Sequence, residues 1–163
     1  MRDGLTHVDR GGRARMVDVG AKPETRRVAV AEAVVRVGRK VAGMVKTTGG
    51  VKKGGVVETA RIAGIQGAKR ASSLVPLAHP IPLDWVDVDA RVGADRVTLT
   101  VTVSCTGRTG VEIEAMTGAS VAALAVYDMC KAASRSIVIE SVRLLEKSGG
   151  ASGTWKRAGR GRT

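Results

Sequence analysis

The sequence predicts an α+β sandwich, a largely antiparallel sheet with helices packed on one of its faces. Three observations lead there. Trp85–Val92 and Arg96–Cys105 each alternate apolar and polar residues on either side of Gly93-Ala94-Asp95, the pattern of a β-hairpin. Thr109–Ser136 is the longest stretch with a helical rhythm. The 44% of hydrophobic residues contain no Phe, one Tyr and two Trp, so the core is built from small side chains suited to close strand and helix contacts.

Taken in order, residues 1–14 are polar and Gly-rich and are expected to form a flexible segment. Arg15–Gly20 reads as a short extended piece. In Thr25–Val37, Ala29, Ala31, Ala33, Val35 and Val37 recur with a period of two, which makes a strand despite the Ala content. Gly38–Lys46 reads as a short helix stopped by Gly49-Gly50, and Val51–Gly55 as a basic loop. Val56–Ala71 follows as a helix whose small residues, Gly64 and Gly67 among them, make a smooth face for a close neighbour. Leu74–Leu83 holds Pro76, Pro80 and Pro82 and is expected to be an irregular, stiff course. The hairpin and the long helix come next, and Ser136–Leu145 is the last strand. The order β-α-α-β-β-α-β is similar to a ferredoxin-like core with an added helix. One domain spans 15–155, and 156–163 form a basic, flexible tail.

Lys and Arg number 27 against 15 Asp and Glu, a net charge of +12, which predicts attraction to something anionic. Aromatic residues for stacking bases are nearly absent and no recognition-helix or zinc-finger pattern occurs, so a small polyanion explains the charge better than nucleic acid. Cys105 and Cys130 have neither CxxC spacing nor clustered His, which supports no disulfide scaffold and no metal site. No apolar run suggests a membrane span and no secretory signal opens the chain, so a cytoplasmic protein is expected.

The chemistry centres on the long helix. Val121, Leu124, Asp128 and Lys131 follow at steps of three, four and three and share one face, which reads as an apolar stripe ending in a carboxylate and an ammonium. Such a pair is costly to bury unless it is used; the competing reading is an exposed helix ion pair. Glu114 lies fourteen residues before Asp128 and points the same way if the helix begins that early. Thr109-Gly110-Val111-Glu112 matches a capping box, so Glu112 is either a cap or a functional group. Lys53 sits in the Gly-flanked loop, where it either meets phosphate or is simply solvated. His79 is presented by the Pro-stiffened loop or is structural. Lys69, Arg70 and Lys147 either bind phosphate or supply solubility.

Six blocks carry a resemblance: MVDV (Met16–Val19), TARIAGIQ-AK (Thr59–Lys69), LVPLAHP (Leu74–Pro80), TGVEIEAMT (Thr109–Thr117), ASVAALAVYDMCKA (Ala119–Ala132) and VRLLEKSGG-SG (Val142–Gly153). In this order they resemble the MoaC family, the cyclic pyranopterin monophosphate synthases of molybdenum cofactor biosynthesis. The resemblance implies an enzyme that rearranges 3′,8-cyclo-7,8-dihydroguanosine triphosphate, supplied by a radical S-adenosylmethionine enzyme, to cyclic pyranopterin monophosphate with release of pyrophosphate. It further implies a ferredoxin-like fold, a hexamer built from dimers and active sites at subunit contacts; no cofactor or metal is expected. By motif match, Asp128 takes the active-site aspartate position, Lys131 a proton-transfer lysine and Lys53 the loop lysine. Leu77, Ala78 and His79 match a substrate-contacting Leu-Cys-His, and Ile113 and Glu114 a Met-Glu. Glu112, Lys69 and Lys147 complete the expected substrate-binding set. Ala78, Ile113 and Gly55 depart from the usual Cys, Met and Asp. The alternatives are a paralogue that binds the nucleotide without turning it over, and an RNA-binding module using the Arg-rich tail.

Overall fold

The computed structural model describes residues 7–9, 11–48 and 55–158. Its elements are β1 (Thr25–Arg36), α1 (Arg39–Thr48), α2 (Val56–Lys69), α3 (Ala71–Leu74), β2 (Trp85–Val92), β3 (Arg96–Gly107), α4 (Glu112–Cys130), β4 (Val138–Ser148) and β5 (Trp155–Lys156). The strands form one sheet in the order β2-β3-β1-β4-β5, with every neighbouring pair antiparallel. The predicted α+β architecture is what the chain adopts.

The alternation in β1 sets the inner face. Ala29, Ala31, Ala33 and Val35 are completely buried, as are Val97, Leu99, Val101 and Val103 on the neighbouring β3. Full burial of a Val or Leu side chain contributes about 1.5–3 kcal/mol. Register pairs Ala29 with Val103 and Ala33 with Leu99, so small and large residues oppose one another across the strands.

Small residues also let the two long helices close on each other. A methyl added at Gly64 would come within 3.2 Å of Ala122 Cβ, and one at Gly118 within 2.9 Å of the Gly64 carbonyl oxygen. Val121 occupies the space over Gly67, 2.8 Å from where a Cβ would stand. The smooth face expected on α2 is therefore the contact with α4.

This packing corrects one expectation. The face of α4 that meets the sheet and α2 carries Ala115, Ala119, Ala122, Ala123, Val126 and Cys130, all buried. Leu124 stands 56% exposed, and Asp128 and Lys131 follow it on the outward face. The helix is apolar almost all round, so two stripes compete for the core. The Ala/Gly stripe wins because only it permits close backbone approach. On length and apolar composition α4 would also suit a membrane crossing; here its small-residue face is the core of the sandwich.

The other differences are a short strand, β5, that pairs Trp155 and Lys156 with β4 at the start of the expected tail, and the ends of elements. The long helix stops at Cys130, the strand expected over Ser136–Leu145 runs Val138–Ser148, and the helix expected over Val56–Ala71 ends at Lys69, with the short α3 following at Ala71–Leu74. Cys105 and Cys130 are free and buried, and burial pushes both thiols up.

Candidate active site

The groove lies where the start of α4, the Pro-stiffened loop and the N-terminal segment meet at one end of the sheet. Two adjoining cavities of about 410 and 540 Å³ share Lys22, Thr109, Gly110 and Glu112. The smaller is walled by His7, Val17 and Val19 on one side and by Leu77, Ala78 and His79 on the other, with Ile113 and Glu114 from the first turn of α4. The larger is lined by Arg27, Arg108 and Lys147 and by the turn Gly149-Gly150.

Each side chain has a local reason for its place. Gly149 and Gly150 have φ of 98° and 72°, a left-handed turn that other residues rarely adopt, and a methyl on Gly150 would overlap the Arg27 guanidinium. Arg27 in turn donates from Nε to the Gly107 carbonyl at 3.1 Å, which holds it along the floor of the groove. His79 donates from Nε2 to the Val17 carbonyl at 2.8 Å, tying the Pro-stiffened loop to the N-terminal segment. A carbonyl only accepts, so Nε2 carries a proton.

Glu114 is the buried acid of the groove. It is 4% exposed, and its Oε2 meets no hydrogen-bond partner among the described residues. Burial pushes its carboxyl above the usual carboxylate range; a backbone hydrogen bond opposes this, and the nearby charge of Glu112 adds to it. Glu112 differs from the capping-box expectation. The helix cap is Val111 with no side-chain cap bond, and Glu112 instead pairs with Lys147, Nζ to Oε1 at 2.9 Å. That pair joins the carboxylate end of the groove to its cationic end.

Of the residues expected to form one site, this groove brings together Leu77, Ala78, His79, Glu112, Ile113, Glu114 and Lys147. Asp128 and Lys131 are elsewhere in the chain. Fourteen residues along α4 place Asp128 about 21 Å from Glu114. Lys131 Nζ donates to Asp128 Oδ1 at 2.6 Å, and both are exposed, beside a shallow depression lined by Tyr127, Ser134 and Arg135. The expectation that burial marks this pair is thus corrected: the single chain leaves it in solvent. The Asp128 hydrogen bond raises the Lys131 ammonium above its ordinary value, and the Asp128 charge acts in the same direction, so Lys131 stays protonated near neutrality. Lys69 ends α2 on the surface, outside the groove, and Lys53 lies outside the described residues. Gly55, where the motif usually has Asp, is the N-cap of α2 and leaves that helix without a side-chain cap bond.

Sequence reasoning missed His7, Lys22, Arg27 and Arg108. No local motif marks them; they converge from the N-terminal segment, the start of β1 and the β3–α4 turn. The usable signal was Lys22, Arg26 and Arg27, basic residues placed just after the MVDV block.

The model of the MoaC family matches residues 16–150. The chain belongs to the MoaC family. It is 53% identical over 154 residues to the cyclic pyranopterin monophosphate synthase of Novosphingobium aromaticivorans, covering 94% of this chain and 98% of that one. It is 50% identical over 155 residues to the protein of the same name from Thermomicrobium roseum, covering 94% and 93%. Molybdenum cofactor biosynthesis protein 1 of Drosophila melanogaster is 56% identical over 148 residues, 90% of this chain but 26% of that longer protein. Of the blocks that carry the MoaC resemblance, Leu77–His79 and Glu112–Glu114 wall the groove, whereas the block holding Asp128 and Lys131 does not.

Proposed function

We propose that this chain is a lyase of molybdenum cofactor biosynthesis, converting 3′,8-cyclo-7,8-dihydroguanosine 5′-triphosphate to cyclic pyranopterin monophosphate and pyrophosphate. The observation that carries the reading is the two-ended groove. One end is apolar with a buried acid and two imidazoles, suited to a guanine-derived ring; the other is cationic, suited to a triphosphate. Arg and Lys there neutralise the phosphates and hold the substrate.

The rearrangement needs several proton transfers. Glu114, whose carboxyl holds its proton to higher pH than an exposed acid, is suited to donate and recover one. Lys131, kept as an ammonium by Asp128, is suited to donate another. Asp128 and Lys131 reach the groove of a neighbouring copy, so each reaction centre is built from two subunits, in a hexamer that is a trimer of dimers. Two facts support a neighbour at this end of α4: Leu124, one turn before Asp128, is exposed, and so is Tyr127 beside Lys131. Lys53, from the basic loop, is the third catalytic residue, and Lys69 adds charge near the phosphates. The substrate comes from a radical S-adenosylmethionine enzyme, and the protein works in the cytoplasm without a cofactor or metal of its own.

Incubation with the cyclised GTP compound followed by a pyrophosphate assay tests this. The wild-type chain releases pyrophosphate, whereas Asp128→Asn, Lys131→Ala and Lys53→Ala each lower release by about 100-fold or more with the fold intact. Four proteins that behave alike would remove the catalytic assignment. A wild-type chain that binds the compound but leaves it unchanged would favour the non-catalytic paralogue.

A further inference from the structure

The N-terminal segment does more than cover the groove: it carries an imidazole into it. His7–Asp9 and Gly11–Arg15 come together as a small clip. Asp9 Oδ1 accepts from the amides of Gly11 at 2.8 Å and Arg13 at 2.9 Å. Val8 bridges Ala14, and the Arg15 amide donates to the His7 carbonyl at 2.9 Å. The clip sets the orientation and tautomer of the His7 ring, because Nδ1 donates to the Arg15 carbonyl at 3.3 Å. A carbonyl cannot donate back, so Nδ1 holds the proton and Nε2 presents the lone pair. The ring lines the same cavity as His79, Glu112 and Glu114.

The neighbouring groups leave this role open. His79 has its Nε2 committed to the Val17 carbonyl. Glu112 is neutralised by Lys147. Glu114 is buried and held toward its protonated form.

We propose that His7 is a further proton-transfer residue of this reaction, touching substrate through Nε2. The step is a proton transfer alone. A substrate O–H or N–H bond breaks, an N–H bond forms at Nε2, and the electron pair stays on the substrate atom while the neutral ring becomes imidazolium. The proton returns to product in a later step. The proposal rests on the function given above.

The test compares wild type, His7→Ala and His7→Asn in pyrophosphate release from the cyclised GTP compound, with and without added imidazoles. Asn keeps an N–H for the Arg15 carbonyl but has no basic lone pair. Both variants lose about 100-fold in kcat with KM changed little. Imidazole restores turnover to His7→Ala, and substituted imidazoles rescue in proportion to their basicity, as a Brønsted relation requires. His7→Asn turning over at the wild-type rate overturns the proposal, as does a loss in His7→Ala that no imidazole relieves. An inactive wild type overturns the function and the proposal together, whereas an active wild type with an unimpaired His7→Asn overturns only the latter.

Discussion

Glu114→Gln is expected to be inactive and yet more heat-stable than the wild type above pH 7. The two effects have one cause. A carboxyl whose native value is raised binds its proton more tightly in the folded chain than in the unfolded one. The folded chain therefore loses stability as pH rises from the unfolded value, about 4.3, through the raised native value. Gln keeps the shape of Glu114 and cannot ionise, so this loss disappears. The melting temperature of the variant should exceed that of the wild type at pH 8, and the gap should close toward pH 4. Turnover should fall by about 100-fold or more, because the amide cannot exchange a proton with substrate. Melting curves across pH and a pyrophosphate assay check both halves. A variant less stable than the wild type at pH 8, or one that turns over normally, would contradict this role for the buried acid.

Lys147→Ala should act on binding instead. The ammonium sits where the two halves of the groove join and neutralises Glu112 at 2.9 Å. Its removal takes one cation from the phosphate end and leaves the Glu112 carboxylate facing the incoming polyanion. A charge-assisted hydrogen bond to phosphate is worth about 1.5–3 kcal/mol, or roughly 10- to 150-fold. Phosphates are held alike in ground and transition states, so KM should rise by about that factor while kcat changes by less than about threefold. Added salt should weaken wild-type binding more than that of the variant. Steady-state kinetics at two ionic strengths measure both. A fall in kcat at constant KM would place Lys147 in the chemistry rather than in binding.

How much of this was legible follows from particular residues. The period of two in β1 identified its buried Ala and Val, because a strand facing a packed layer must alternate. The hairpin around Gly93-Ala94-Asp95 and the close approach at Gly64 and Gly67 were legible for equally local reasons. The buried face of α4 was not, since an almost wholly apolar helix offers no contrast from which to read its orientation. Nor were Lys22, Arg27 and Arg108, which meet only because the start of β1 lies beside the ends of β3 and β4. The groove carboxylates and His79 were singled out by residue type and loop stiffness. Their separation from Asp128 depends on the 19-residue length of α4 and the burial of only one of its faces.

The central claim is that Glu114 of one copy and Asp128 of another serve a single reaction centre. Mixing subunits tests it most directly. Glu114→Gln and Asp128→Asn chains, each inactive alone, are co-expressed and purified as mixed assemblies, then assayed for pyrophosphate release. With random mixing, about one quarter of the centres receive both native residues, so activity should return to roughly 25% of the wild-type level. Mixed assemblies as inactive as either parent would mean that both residues act within one chain, or not in catalysis at all, and the two-subunit account would be wrong.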